Sequence, residues 1–288
     1  MTEGFHNIAI LGAGLLGGSL ALALEKTGRK SLARLWARKE ETTRAATRSG
    51  ITHATSDLST AVAGADLLVL AVPVGAMPLL LEAAYFAGLP ESCLVTDVGS
   101  VKSFPHRILE PICARYGGTF IGSHPMAGSE QGGIASADPA IFENAACLLT
   151  NETAAPDHLV LLLENFWQSV GCRTIRMTAA EHDACVARVS HLPHVIAASA
   201  ANVCMSDEFL IQFGGGGLRD TTRVAAGNPE MWSEILTENR ESIIPLLRET
   251  IADFSSFLRL LEQNDTTAIR AWLQRAKSLR DTLPSKQP

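Results

Sequence analysis

The stretch Asn7–Leu24, NIAILGAGLLGGSLALAL, sets the strongest limit on what this chain can fold into. Ile8, Ala9, Ile10 and Leu11 form a short apolar run whose length suits a buried strand. Gly12-Ala13-Gly14-Leu15-Leu16-Gly17 follows at once and matches G-x-G-x-x-G. Ser19–Leu24 then reads as a helix that stops at Gly28. The spacing has a physical reason. Gly12 permits a tight turn, Gly14 lets the backbone approach a pyrophosphate, and Gly17 lets the helix pack close to the strand. Free N–H groups at the helix start, at Leu15 and Leu16 among others, then meet the phosphates. A glycine-rich turn in another α/β protein would share the motif. The strand before it and the helix after it are the context of a dinucleotide site.

The rest of the first half alternates strand and helix. Strands are predicted over Ala33–Ala37, Leu67–Val72, Leu94–Asp97, Thr119–Gly122, Ala146–Thr150 and Arg173–Met177. Helices are predicted over Glu40–Ser49, Met77–Phe86, Phe104–Tyr116 and Pro156–Val170. Repeated βα units predict a Rossmann-type, doubly wound, mostly parallel sheet. After Met177 the pattern turns helical almost throughout. The expected division is therefore a dinucleotide-binding domain over 1–177 and an all-α substrate and dimerisation domain over 178–288. In the second, Leu247, Ile251, Phe254, Leu258 and Leu261 repeat in a 4-3-4-3 pattern, a narrow helical seam. Such a seam in a small helical domain favours a homodimer, although a seam within one chain gives the same pattern.

Bulk properties exclude several classes. A net charge of −6 argues against a nucleic-acid surface. No apolar run reaches the ~18 residues of a membrane span, and the apolar start lacks the basic flank of a signal peptide. Six scattered cysteines without a C-x-x-C point to free thiols in a reducing, cytoplasmic compartment, not to a disulfide framework or zinc cluster.

At the end of the second strand, where an acid normally binds the adenosine ribose, the chain reads Trp36-Ala37-Arg38-Lys39. An acid would repel a ribose 2′-phosphate. Arg38 can instead grip it with a forked, charge-assisted contact, and Lys39 adds a second charge. NADP is therefore expected over NAD. In the alternative, Arg38 and Lys39 are a solvated loop and Glu40 or Glu41 contacts the ribose. Val72 and Pro73, where the next strand ends, complete the expected cofactor-binding set.

Three further segments are rich in polar groups that a plain fold does not need. Asp97-Val98-Gly99-Ser100-Val101-Lys102 follows a strand and puts Ser100 where a substrate lies in an open parallel sheet. Gly122–Glu130, GSHPMAGSE, offers His124 as a base titrating near neutrality, together with Ser129 and Glu130. Ser190-His191-Leu192-Pro193-His194 lies in the helical half, followed by Asp220, Arg223 and Trp232. Each has a plainer reading: a structural histidine, an i,i+3 helix pair of Asp220 and Arg223, a core tryptophan. His191 and His194 could ligate a metal, but Pro193 lies between them and no third ligand is local, so no metal is expected.

Taken together, DVGSVK at 97–102, GSHPMAGSE at 122–130, SHLPH at 190–194 and GGGGLRDTTRVA with the later NPEMW at 214–232 resemble the prephenate/arogenate dehydrogenase family. The resemblance implies oxidative decarboxylation of prephenate or arogenate in tyrosine biosynthesis, with NAD(P)+ as hydride acceptor. It also implies a Rossmann domain joined to a helical dimerisation domain. Arg38 departs from the acid of NAD-linked members and looks like NADP-linked ones. Ser129 stands where relatives can carry Thr.

The expected roles follow from the reaction. His124 accepts a hydrogen bond from the ring hydroxyl, with an acidic limb near the ordinary histidine value of ~6.5, and Ser100 bonds the same oxygen or fixes the imidazole. Arg223 supplies a fork for a carboxylate, oriented by Asp220 or Glu130. His191 and His194 are candidates for the keto-acid end, and by resemblance Trp232 walls the site. NADP-linked β-hydroxyacid dehydrogenases share the architecture, but they use a lysine from the helical half, which here holds only Lys277 and Lys286. A nucleotide-binding redox sensor would explain the glycine loop but not the polar segments.

Overall fold

The computed structural model describes residues 4–27, 32–129 and 131–283. The expectations placed on Gly28, Glu130 and Lys286 lie outside them. The chain forms two compact units that divide after Arg240.

The first unit opens with β1 (Asn7–Leu11), α1 (Leu15–Lys26), β2 (Leu32–Trp36), α2 (Glu40–Arg48), β3 (Ala54–Thr55), α3 (Leu58–Val62) and β4 (Leu67–Leu70). It continues through α4 (Met77–Phe86), β5 (Leu94–Asp97), α5 (Ser103–Arg115) and β6 (Thr119–Phe120). The six strands pair in parallel in the order β3-β2-β1-β4-β5-β6, a doubly wound sheet. Why β1 and β4 are apolar without a break is visible in the two cores. Ile8, Ile10, Leu67 and Val69 face one core, and Ala9, Leu11, Leu68 and Leu70 face the other. Both faces of a parallel sheet are covered, so neither can be polar.

The strand expected over Thr119–Gly122 is two half-strands in different sheets. β6 closes the parallel sheet, whereas β7 (Gly122–Pro125) pairs antiparallel with β8 (Ala146–Thr150). A smaller sheet β7-β8-β9 results, with β9 (Arg173–Met177) parallel to β8 and α6 (Asp157–Ser169) between them in sequence. Gly122 permits the crossing, because a Cβ there would lie 2.5 Å from Thr150 Oγ1 and 2.9 Å from Lys102 Cδ. His124 therefore sits inside a strand, opposite Leu148, and not in a loop after one.

Helices follow: α7 (Ala179–Val186), α8 (Leu192–Cys204), α9 (Glu208–Ile211), α10 (Gly216–Thr222) and α11 (Pro229–Glu238). The change of texture at residue 178 marks where strands end. These helices nevertheless share a compact unit with the sheets. A π turn over Ala187–His191 joins α7 to α8. Pro193 has no N–H to give to the carbonyl four residues back, so the helix widens just there.

The second unit holds most of α12 (Arg240–Glu262) and α13 (Thr266–Arg280). Phe257 packs on Trp272 with ring centroids 4.5 Å apart. The seam residues Ile251, Phe254, Leu258 and Leu261 are each more than half exposed in the single chain. No helix among the described residues is long and apolar enough to cross a membrane.

Candidate active site

The glycine loop has the shape that a dinucleotide needs. Gly12 has φ +121°, and a Cβ there would lie 2.2 Å from the Ala71 carbonyl oxygen. β1 and β4 thus approach each other at the point where the strand order reverses, the usual ligand crevice of such sheets. A Cβ on Gly17 would lie 1.9 Å from the Gly12 carbonyl oxygen, so α1 packs tightly onto the turn. Gly14, by contrast, faces open space, with no atom within 4 Å of an added Cβ. No side chain caps α1, so its first N–H groups are left for an anion. Tight where the backbone must turn and open where phosphate must approach, the cradle fits NAD(P). Arg38 and Lys39 are exposed just before α2, and Glu40 is taken up by Arg44 at 2.8 Å.

Asp97, at the end of β5, organises the next layer. It is fully buried, and so is Lys102, whose Nζ lies 2.5 Å from Asp97 Oδ2. Lys102 Nζ also donates to the carbonyls of Gly99 (2.9 Å) and Val101 (3.0 Å), while Gly99 N donates to Asp97 Oδ2 (2.9 Å). The loop carrying Ser100 is therefore closed on itself by an ion pair beneath it. Asp97 Oδ1 accepts from Ser123 N at 3.2 Å, which ties the same carboxylate to the residue before His124. Ser123 Oγ is held in turn by Thr96 and Trp167.

His124 does not stand alone. Its Nδ1 lies 2.8 Å from His182 Nε2, and His182 Nδ1 lies 2.8 Å from Asp183 Oδ1. Asp183 also accepts from Lys102 N (2.8 Å) and Ser103 N (2.9 Å), which anchors α7 to the start of α5. Burial alone would raise the Asp183 carboxyl, but hydrogen bonds from His182, Ser103 and Lys102 hold it below the ordinary aspartate value. An ionised Asp183 only accepts, so His182 Nδ1 carries the proton and His182 Nε2 is a lone pair. His124 Nδ1 must then be the donor, and His124 Nε2 is left as the acceptor.

Burial, with the nearby His182, Lys102 and His191, holds His124 well below its ordinary value. Burial likewise lowers His182, against the pull of Asp183. The imidazole is thus a base at neutral pH, and its acidic limb lies below the ~6.5 expected from the sequence, since a cation is poorly tolerated there.

The helical motifs meet this cluster at His191. Asn239 Nδ2 bridges the Asp183 carbonyl (2.8 Å) and His191 Nδ1 (3.0 Å). His191 is 1% exposed, and among the described residues its Nε2 meets no hydrogen-bond partner. Burial pushes it down to about 4, with Asp183 and the Ser100 backbone acting the other way. His194 stacks on Trp232 of its own chain at 3.5 Å and 8°, with the Val224 backbone near enough to favour the ring's proton. The turn carrying Arg223 packs against α8, so it lies on a neighbour of the His191–His194 helix. Arg223 and Asp220 are exposed, and so is Ser129, whose Oγ accepts from Gln131 N at 3.1 Å.

His124, His191, His194 and Trp232 are thus gathered with Ser100 around one buried network. Sequence reasoning missed Asp97, Lys102, His182, Asp183 and Asn239. Asp97 and Lys102 flank Ser100, and the signal was there: two charged residues in an otherwise apolar strand end. Glu234, also missed, accepts from Gly75 N in the loop after Pro73.

Comparison with known proteins agrees with this geometry. Residues 20–176 match the family model "Prephenate dehydrogenase, nucleotide-binding domain", and residues 178–275 match "Prephenate dehydrogenase, dimerization domain". The chain is 32% identical to prephenate dehydrogenase of Bacillus subtilis over all of its own length and 78% of that protein. It is 31% identical to cyclohexadienyl dehydrogenase of Zymomonas mobilis, over 91% of this chain and 90% of that one. Among solved structures, prephenate dehydrogenase of A. aeolicus in complex with hydroxyphenyl propionate and NAD+ superposes with a TM-score of 0.88. The two are 27% identical over 97% of this chain and 99% of that one. Synechocystis arogenate dehydrogenase superposes with a TM-score of 0.75 at 30% identity, over 96% of this chain and 99% of that one. With its dinucleotide cradle and both family models in order, this chain belongs to the prephenate dehydrogenase family.

Proposed function

We propose that this protein catalyses the NAD(P)+-dependent oxidative decarboxylation of prephenate, or of arogenate, in tyrosine formation. The observation that carries the reading is the buried chain Asp183–His182–His124, which leaves one imidazole nitrogen as a neutral acceptor within the folded core. A hydroxyl proton needs such a base at neutral pH. When bound, the nicotinamide supplies the hydride acceptor. His124 Nε2 takes the ring hydroxyl's proton, and Ser100, fixed by the Asp97–Lys102 pair, bonds the same oxygen. Loss of CO2 then makes the ring aromatic, so the driving force is the substrate's own and the protein mainly positions it. Arg223 grips a substrate carboxylate as a fork, with Asp220 or Glu130 orienting it. Ser129 contributes its hydroxyl to the substrate, and His194, stacked on Trp232, lines the far end. Arg38 and Lys39 select NADP over NAD through the ribose phosphate.

The working division is a dinucleotide domain over 1–177 and a helical domain over 178–288, with the protein acting as a homodimer. The exposed seam Ile251–Leu261 and the dimerization model over 178–275 support this assembly. Light scattering tests it, and a monomer at micromolar concentration refutes it.

The deciding experiment follows reduced nicotinamide with and without prephenate and arogenate, in wild type and His124→Asn. Wild type should turn over only with one of these substrates. His124→Asn should lose roughly 10²–10⁴-fold in kcat while cofactor affinity stays within a few-fold. A His124→Asn enzyme keeping more than a tenth of wild-type kcat places the base elsewhere.

A further inference from the structure

The second unpartnered nitrogen in the network has a fixed protonation of its own. The Asp183 carbonyl oxygen can only accept, so the Asn239 side chain must turn its NH2 group toward it. The same nitrogen's other hydrogen then points to His191 Nδ1, 3.0 Å away. That ring nitrogen is therefore a lone pair. Burial keeps His191 neutral at pH 7, so its one proton resides on Nε2. His191 Nε2–H is a buried donor in a ring that is 1% exposed, and among the described residues no acceptor meets it at hydrogen-bond distance, although the Ser100 backbone is near enough to favour the ring's proton. Unpaired buried donors are rare in folded proteins, and a catalytic role is one of the few physical reasons for which they persist. The Ser100 backbone lies beside this ring, and a charge on it would be felt at His124. The donor thus lies beside Ser100, with the Trp232 ring centroid 6.0 Å from that of its own ring, and the proposal moves it from the keto-acid end expected from the sequence to the reacting end.

We infer that His191 donates its Nε2–H to the ring oxygen of the substrate, and that Asn239 is the positioning residue that fixes this tautomer. The inference rests on the proposed function and deepens it. As hydride leaves the ring carbon and His124 takes the hydroxyl proton, the ring oxygen becomes a carbonyl. When the bond to the carboxylate breaks, its electron pair enters the ring and the ring oxygen takes up negative charge. His124 then returns the proton, giving a phenol and CO2. A fixed neutral donor at that oxygen acts most strongly as the charge develops. Asp183 therefore sets two opposite tautomers. Its carboxylate, through His182, makes His124 an acceptor, and its carbonyl, through Asn239, makes His191 a donor.

The test uses the full-length protein labelled with ¹⁵N-histidine, with the His191 signal assigned by its loss in His191→Gln. Nitrogen shifts should show His191 as Nε2–H in wild type and as Nδ1–H in Asn239→Asp, whose carboxylate only accepts. Asn239→Asp should lower kcat at least tenfold with KM for substrate changed by less than threefold. An Nδ1–H tautomer in wild type overturns the inference whatever the activity. So does an Asn239→Asp enzyme with kcat within twofold of wild type, or one whose loss lies in KM alone. Absence of any wild-type turnover with prephenate or arogenate overturns the functional reading itself, and the inference with it.

Discussion

Acidification from pH 7 to pH 5 should destabilise this fold by an amount set by its buried histidines. Four of them, His124, His182, His191 and His194, are held below the ordinary value of 6.5, each chiefly by burial. In the unfolded chain they protonate at that ordinary value, so between it and the folded value the unfolded state binds more protons. Stability then rises with pH across the window and falls as pH drops through it. His191 allows the size to be worked out, because its folded value lies at about 4. The full gap of 2.5 units corresponds to about 3 kcal/mol, of which about 2 kcal/mol is lost by pH 5. His124 adds a further loss of the same sign. Carboxylates do not confuse the window. Asp57, Asp183 and Glu181 are held below ordinary values of 3.8 to 4.5, so their contributions are lost only in stronger acid. The assay is urea unfolding at pH 7, 6 and 5, at one protein concentration and without cofactor. His191→Gln should be less stable than wild type at pH 7 yet lose about 2 kcal/mol less on acidification. A wild-type midpoint that stays constant from pH 7 to 5 would refute the reasoning.

Other consequences are as specific. Lys102→Met leaves Asp97 as an unpaired buried charge and should cost about 3–5 kcal/mol in urea unfolding, with Asp97→Asn/Lys102→Met recovering part of it. A single variant as stable as wild type would mean that the pair is not ionic. Arg38→Asp should cut the ratio of kcat/KM for NADP+ over NAD+ at least tenfold, since charge-assisted bonds worth about 1.5–3 kcal/mol are replaced by repulsion. Arg223→Ala should raise KM for substrate far more than KM for cofactor, and Arg223→Lys should rescue it poorly because a point charge lacks the fork. A normal substrate KM in Arg223→Ala would leave the residue a structural role alone.

The parts of this molecule that are legible in its sequence are those whose physics is local. β5, α4, β8 and β9 have the ends that apolar runs and flanking turns predict, and the glycine loop is what its spacing requires. Two-residue β3 carries too few side chains to show a period, and α3 depends on a single Asp57 cap. The split at Gly122 is invisible for another reason. Nothing in Thr119–Gly122 says that the next residues will leave one sheet for a second, because that choice rests on Thr150 and Lys102 making room for a residue without a side chain. The same distinction divides the site. His124, His191 and His194 stand out in short polar motifs, whereas their partners are distant in sequence. His182 is 58 residues from His124, and Asn239 is 48 from His191. Asp183 on a helix and Asn239 at the join of two helices look like ordinary polar positions until the fold brings them together.

That separation also explains how one buried region can hold a base and a donor of the same residue type. Two neutral imidazoles in a common apolar setting have no intrinsic reason to differ, because either ring nitrogen can carry the proton. The difference must be imposed by groups with no such freedom. A carboxylate that only accepts and a backbone carbonyl that only accepts both come from Asp183, and each passes through one intermediary with a fixed sense of donation. His182 is a relay with one proton: it donates at Nδ1 to the carboxylate and accepts at Nε2 from His124. Asn239 is an amide nitrogen with two hydrogens, so it donates on both sides. The outcome at His124 is an acceptor and at His191 a donor. The Asp97–Lys102 ion pair keeps the loop between them closed without placing an unpaired charge beside either ring.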